Sequence, residues 1–132
     1  MTIPAQTSQG SAFTIEHQQG KAPGTVIFRL SGPFTARDMY GSLTPAALRS
    51  LFDFQSMPTE APPAVNILDL TDVPYMDSAG LGMIVSHYVR CQGKGLQLIA
   101  AGATARVRDL FKLTKVDAII PMTATVEEAD TH

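Results

Sequence analysis

The apolar positions near the start of the chain follow the two-residue period of β-strands. Residues 13–17 alternate apolar and polar side chains, which is the pattern of a half-buried strand. Residues 25–30 form an apolar, β-branched run that predicts a second strand. Glycine and proline occur between them in residues 18–24, so we predict that the two strands form a hairpin.

Three later apolar runs predict further strands, at residues 65–70, 95–100 and 118–122. The first of these runs is almost continuously apolar, which is typical of a central strand covered on both faces. The last run contains Pro121, which has no N–H to donate to a sheet and therefore favours an edge position.

Between the strands the apolar period changes to that of helices. The spacing predicts a helix that begins at or near Ser78 and is ended by Gly93 as the residue after its last turn. Its predicted buried stripe consists of Leu81, Ile84, Val85, Tyr88 and Val89. Further helices are predicted over residues 44–54, around residues 107–114, and from a capping box at residues 125–128.

The resulting element order is β-β-α-β-α-β-α-β-α. Strands separated by helices pair in parallel through right-handed crossovers. We therefore predict one α/β domain over residues 13–132, with a mainly parallel sheet of about five strands, an N-terminal antiparallel hairpin, and about four helices mostly on one side. The polar residues 1–12 are predicted to be a flexible tail.

The amino-acid composition and the charge of the chain argue against several classes of protein. The 132 residues are 45% hydrophobic and 17% charged, which is enough apolar material for a core. The net charge is -2 and no basic patch is visible, so the sequence does not predict nucleic-acid binding. We predict no membrane span and no signal peptide. Because Cys91 stands alone, no disulfide can form within the chain, and we expect a cytoplasmic protein.

The segment over residues 73–82 lies between a buried strand and a strongly patterned helix. A serine at a helix start, such as Ser78, usually caps the helix, with a contribution of ~1 kcal/mol. Gly80 and Gly82 follow in the first turns, where each costs ~1 kcal/mol of helix stability relative to alanine. The two glycines would also allow close approach of the helix to the sheet, but their cost suggests that another molecule needs access to the turn.

The pentapeptide Asp-Ser-Ala-Gly-Leu at residues 77–81, preceded by Leu-Asp-Leu at residues 68–70, resembles the signature of STAS domains. The resemblance to the anti-sigma factor antagonists of this family covers most of residues 25–129. It implies that an anti-sigma factor serine kinase phosphorylates Ser78. The unphosphorylated form would bind that kinase and so release a sigma factor, and a phosphatase would restore the binding form.

The resemblance also implies a partner-binding face around the phosphoacceptor. A phosphate would add about -1.5 to -2 charges beside Asp77, which would weaken binding to a surface built for a neutral hydroxyl. We expect this exposed face to comprise Met76, Asp77, Gly80, Gly82, Met83 and Ser86. Asp77 would orient the turn, and the protein would be a monomer or a weak dimer.

Residues 32–35 depart from the family pattern. They are Gly-Pro-Phe-Thr, whereas family members often carry Gly-x-Leu-Asp. Thr35 replaces the aspartate, and Asp38 follows three residues later. The identity of the kinase, the sigma factor and the phosphatase therefore stays open. An alternative is a STAS scaffold or subunit of another complex, such as a stressosome or a lipid-transport assembly, without control by a sigma-factor kinase.

An enzyme is the other alternative, with Ser78 as a nucleophile. The hydrolase elbow requires Gly-x-Ser-x-Gly, and Met76 occupies the first glycine position. His87 is nine residues further along the predicted helix, roughly 13 Å away and beyond hydrogen-bond reach. The three histidines and one cysteine show no metal-binding spacing. We therefore predict no catalytic activity, no cofactor and no metal.

Overall fold

The computed structural model describes residues 13–38 and 62–130. The strands in these ranges are β1 (Thr14–Gln19), β2 (Thr25–Ser31), β3 (Val65–Asp72), β4 (Gln97–Ala101) and β5 (Met122–Thr123). The α-helices are α1 (Ser78–Gly93), α2 (Ala105–Leu113) and α3 (Val126–Ala129), with a 3-10 turn at Val116–Ala118. The predicted tail at residues 1–12 and the predicted helix at residues 44–54 lie outside the described residues.

The strands form one mixed sheet of five strands in the order β1-β2-β3-β4-β5. β1 and β2 pair antiparallel, whereas β2–β3, β3–β4 and β4–β5 pair in parallel. The predicted hairpin and the mainly parallel sheet are confirmed. β3 is central, and Asn66, Ile67 and Leu68 on successive positions are all buried, as expected for a strand covered on both faces.

Apolar side chains cover both faces of the sheet. On one face, Ile84 of α1 and Phe111 of α2 pack over a large core that includes Phe28 and Leu68. On the other face, Ala129 of α3 packs against a smaller cluster of Ile27, Ile67 and Ile99. Burial of each large side chain stabilises the fold by ~1.5–3 kcal/mol. Two of the three described helices therefore share one side, as predicted.

The buried face of α1 differs from the predicted stripe. Its buried residues are Gly80, Leu81, Ile84, His87 and Cys91. Leu81 and Ile84 were predicted correctly, but Val89 is 60% exposed and its prediction is wrong. The helix is rotated so that positions 84, 87 and 91 face the sheet. The apolar pattern missed this face because it excludes histidine.

A buried polar cluster joins α1 to the sheet. The Nε2 atom of His87 lies 2.5 Å from Oδ1 of Asn66, and Nδ2 of Asn66 donates to the Val26 carbonyl at 2.9 Å. Sγ of Cys91 lies 3.6 Å from the same ring nitrogen. Burial lowers the pKa of His87 to about 3 and raises the pKa of Cys91 to about 11, so both groups are neutral at pH 7.

The C-terminal end of α1 lies beyond the predicted residue. Gly93 is still helical, and Gly95 adopts the left-handed conformation with φ +73°. The Leu96 N–H donates to the Cys91 carbonyl at 2.8 Å and the Gly95 N–H donates to the Gln92 carbonyl at 3.1 Å. This is a Schellman motif, in which glycine at the left-handed position ends the helix. The stop assigned to Gly93 is therefore wrong.

The C-terminal elements confirm one prediction and overturn another. The Thr125 hydroxyl accepts the Glu128 N–H at 3.1 Å, so the predicted capping box opens α3. The predicted strand at residues 118–122 is mostly wrong, because the chain forms a 3-10 turn and pairs with β4 only at Met122–Thr123. Val116 and Ile120 are buried four residues apart, which suits a helical turn better than a strand.

Candidate functional site

The carboxyl ends of the parallel strands meet at one edge of the sheet, which is where open α/β sheets place their sites. Residues 73–77, called the bridge segment below, lead from β3 to α1 at this edge. Residues 32–36 follow β2 on one side, and residues 102–104 follow β4 on the other side. The bridge segment therefore lies between two neighbouring loops.

Hydrogen bonds hold the bridge segment to the loop after β2. The Phe34 N–H donates to the Tyr75 carbonyl at 3.0 Å, and the Asp77 N–H donates to the Phe34 carbonyl at 3.3 Å. Phe34 and Met76 thus form a short parallel bridge. The Phe34 ring is buried and stacks on Phe13, with centroids 4.3 Å apart. This packing fixes the backbone immediately before Ser78.

The loop after β4 holds the other side of the bridge segment. The Thr104 hydroxyl donates to the Val73 carbonyl at 3.3 Å and accepts the Val107 N–H at 3.4 Å, which caps α2. The guanidinium carbon of Arg106 lies 4.8 Å from the centre of the Tyr75 ring. The start of α2 is therefore joined to the bridge segment by a cap and a cation–π contact.

Asp77, not Ser78, is the N-cap of α1. Its Oδ1 accepts the Gly80 N–H at 3.0 Å, and its Oδ2 accepts the Ala36 N–H at 3.1 Å. Ser78 is the first helical residue and is exposed, and its hydroxyl makes no hydrogen bond within the described residues. The capping role that serine usually has at a helix start is filled by its neighbour, which leaves the hydroxyl accessible.

The two glycines of the first turns have different surroundings. Gly80 is buried, and a Cβ atom added to it would lie 2.1 Å from the Phe34 carbonyl oxygen. The expectation that Gly80 lies on the exposed face is therefore wrong, because this residue allows close approach of the loop after β2. Gly82 is exposed, and an added Cβ would meet no atom within 4 Å.

The remaining candidate residues surround Ser78 to different extents. Asp77 and Ser86 are exposed. Met76 and Met83 are half-buried, and both pack against the main core. The two methionines therefore present only part of their side chains to solvent.

Thr35 stands at the position where members of the family that the sequence resembles often carry an aspartate. It caps the start of a local helical turn. Its hydroxyl donates to Oδ2 of Asp38 at 2.5 Å and accepts the Asp38 N–H at 3.2 Å. A threonine that exchanges hydrogen bonds with the residue three positions later is typical of a helix start. Asp38, in the helical turn that follows, is thus engaged by Thr35 of the loop that contacts the bridge segment.

Three aspartates near the carboxyl edge have separate structural roles. Asp69 accepts the Thr71 N–H and hydroxyl at 3.0 and 2.6 Å. Asp72 pairs with Arg29 at 2.7 Å on the surface, whereas Asp77 caps α1. Within residues 13–38 and 62–130, no three metal-ligating side chains are grouped as a metal site would require.

His87 does not form a pair with Ser78. Its ring is fully buried and its Nε2 contacts Asn66, whereas Ser78 is exposed at the start of α1.

A helix long and apolar enough to cross a membrane is not found in the part of the chain that the structure describes.

Sequence reasoning did not identify Phe34, Tyr75, Thr104 or Arg106 as parts of this site. Each follows a strand, and β2, β3 and β4 are neighbours in parallel. Because such strands end at the same edge, the residues that follow them meet. The predicted parallel pairing could therefore have indicated these loops, although not the contacts of individual side chains.

Comparison with known families places this geometry in context. The model of the STAS domain family matches residues 18–129. The anti-sigma-B factor antagonists of Listeria monocytogenes and Listeria innocua are each 38% identical over 53 residues, or 40% of this chain. The matched region spans 46% of each of these relatives, which is about half of their length.

Solved structures share the fold at low sequence identity. A crystal structure of a putative anti-sigma factor antagonist from Thermotoga maritima has a TM-score of 0.68 and 21% identity, covering 87% of this chain and 90% of the other. The phosphorylated form of the Bacillus cell fate determinant SpoIIAA has a TM-score of 0.56 and 20% identity, covering 89% of this chain and 96% of the other.

Proposed function

The chain belongs to the STAS domain family, and we propose that it is an anti-sigma factor antagonist controlled by phosphorylation of Ser78. The observation that carries this proposal is the exposed Ser78 hydroxyl at the start of α1, where Asp77 already provides the cap. In the unphosphorylated state the chain binds an anti-sigma factor serine kinase and thereby releases a sigma factor. A phosphatase acting on phosphoserine restores this state.

The position of Ser78 allows a phosphate to be added without refolding. The N-terminus of a helix is the positive end of its dipole and tolerates negative charge. The added charge of about -1.5 to -2 would lie beside the exposed Asp77 carboxylate. A partner surface complementary to the neutral hydroxyl then meets two neighbouring anions and loses affinity.

The proposed partner face surrounds the phosphoacceptor. It consists of Met76, Asp77, Gly82, Met83 and Ser86, and Gly80 supports it from beneath by its contact with Phe34. The half-buried methionines suit this role because their flexible thioethers adapt to a partner.

The proposed activity is binding, without catalysis. The buried, neutral His87 is engaged with Asn66, so the chain offers Ser78 no adjacent imidazole base on α1. We further propose that residues 13–132 act as one domain, as a monomer or weak dimer in the cytoplasm, and that residues 1–12 are a flexible tail.

Mass spectrometry of the protein after incubation with host lysate and ATP tests the switch. We expect one phosphate that maps to Ser78 in the wild type and disappears in Ser78→Ala. The kinase can then be purified by this activity. If Ser78 stays unphosphorylated under all conditions, the switch is excluded and a constitutive STAS scaffold or subunit of another complex becomes the better description.

A further inference from the structure

We propose that the Tyr75–Arg106 pair is a second contact for the kinase that binds the Ser78 turn, and that Arg106 receives an acidic side chain of this kinase. This inference rests on the proposed function, because it assigns a further part of the surface to the same partner. It extends the partner face across the bridge segment to the first turn of α2.

Both members of the pair are held in place by their backbones. The Tyr75 carbonyl accepts the Phe34 N–H at 3.0 Å, and the neighbouring Val73 carbonyl accepts the Thr104 hydroxyl at 3.3 Å. Thr104 also caps α2, which carries Arg106 in its first turn. A contact made by groups that are already ordered loses little conformational entropy on binding.

Arg106 contacts the Tyr75 ring, and its N–H groups have no hydrogen-bond partner among the described residues. A guanidinium that lies over an aromatic ring uses its flat face, and its N–H groups point outward from its edge. Within residues 13–38 and 62–130, the ion pair observed joins Arg29 to Asp72, and no carboxylate pairs with Arg106. Arg108, by contrast, donates to the Ala103 carbonyl at 2.8 Å.

Charge and exposure indicate the chemistry of the ligand. Arg106 is exposed, and Tyr75 is 38% exposed although it is large and aromatic. Tyrosine and arginine, together with tryptophan, are enriched among the residues that contribute most to binding at the centres of protein interfaces. The exposed Asp77 carboxylate lies two residues from Tyr75, so a partner carboxylate is repelled from the Ser78 turn and attracted to Arg106. The negative charge at Asp77 and the positive charge at Arg106 therefore favour one orientation of the bound partner.

Arg37 provides a matched control. It is exposed in the helical turn at residues 36–38, on the opposite side of the bridge segment, and makes no aromatic contact within the described residues. Arg37→Gln therefore removes the same charge from the same edge of the sheet without removing a stacked guanidinium.

Calorimetric titration with the kinase purified by its activity on Ser78 tests the proposal. We expect the unphosphorylated Arg106→Gln variant to bind about tenfold more weakly than the wild type, because a charge-assisted hydrogen bond is lost. Arg106→Lys should recover part of the affinity, since lysine keeps the charge but lacks the planar fork. Arg37→Gln should stay within about twofold of the wild type, and all variants should melt at the wild-type temperature.

Three results would overturn this proposal alone. One is wild-type affinity in Arg106→Gln together with normal phosphorylation of Ser78, which leaves the proposed function intact. Another is an equal loss in Arg37→Gln, which would show general charge attraction. The third is unchanged kinase binding with a shifted ³¹P titration of phosphoserine 78 in Arg106→Gln, which would assign Arg106 to the phosphate. Absence of any phosphorylation in the wild type overturns both proposals.

Discussion

At the scale of single residues, the cap of α1 and the exposed hydroxyl beside it belong to two different residues, Asp77 and Ser78. Asp77 accepts the Gly80 and Ala36 N–H groups, so it satisfies the start of α1 and attaches it to the loop after β2. Ser78 is therefore free of a structural role within the described residues. This division allows the hydroxyl to be modified without loss of the cap, which is worth ~1 kcal/mol.

The two glycines of this turn give opposite expectations for substitution by alanine. Gly80→Ala should destabilise the domain by ~1–3 kcal/mol, because the new Cβ would overlap the Phe34 carbonyl. Gly82→Ala should leave stability unchanged or raise it by up to ~1 kcal/mol, because the site is open and alanine favours helix. Urea denaturation of both variants measures the difference. Equal effects would mean that α1 lies further from the loop than described.

At the scale of elements, α1 is attached to the sheet by packing and by a buried polar cluster. Ile84 contributes apolar burial, whereas His87 reaches Asn66 on β3 and, through it, the Val26 carbonyl on β2. The contact requires a hydrogen on Nε2, since Asn66 offers its carbonyl oxygen, and burial keeps the imidazole neutral. Three elements therefore meet at a buried group that resists protonation.

This dependence predicts a loss of stability in acid. The pKa of His87 is lowered from 6.5 to about 3 by burial, so between these values the unfolded chain binds the proton that the folded chain excludes. The contribution of the neutral imidazole to the free energy of unfolding is fully present above pH 6.5 and decreases as pH falls toward 3. At pH 5 it is lower by about 2 kcal/mol than at neutral pH. Urea denaturation at pH 7.5 and pH 5 measures it.

His87→Gln supplies the comparison, because glutamine can donate to Asn66 but does not titrate. Between pH 7.5 and pH 5, the free energy of unfolding should fall by about 2 kcal/mol less in the variant than in the wild type. Identical pH profiles for wild type and His87→Gln would contradict the neutral, buried imidazole.

At the scale of the whole molecule, Ser78 lies outside the core, although Met76 and Met83 of the proposed partner face pack against it. The main core lies under α1 and α2, whereas the candidate site lies at the carboxyl edge, where three loops meet. A charge added at Ser78 meets solvent and the neighbouring Asp77, not the core. The proposed switch would therefore act on the surface charge of a stable scaffold, without a change of fold.

Ser78→Asp tests this separation. The variant should unfold within about 0.5 kcal/mol of the wild type, because the position is exposed and the helix N-terminus accepts negative charge. It should bind the purified kinase at least about tenfold more weakly, whereas the neutral Ser78→Ala variant should retain affinity. Thermal melts and calorimetric titrations measure the two effects. Equal affinity of the aspartate and serine forms would contradict a charge-based switch.

The local pattern of the sequence determined most of the fold. The two-residue period of residues 13–17, the continuous apolar run of residues 65–70 and the capping box at residues 125–128 each predicted an element that the structure contains. The Asp-Ser-Ala-Gly-Leu motif located the candidate site at the start of α1. These signals are readable because they arise from propensities and hydrogen bonds between residues close in the chain.

Tertiary structure decided which side chains meet. No local pattern shows that Gly80 must approach Phe34, that Asp77 replaces Ser78 as the cap, or that Arg106 stacks on Tyr75. These contacts join residues more than 25 positions apart, except for the cap. They depend on how parallel strands bring three loops to one edge, and on the rotation of α1 that buries His87 and exposes Val89.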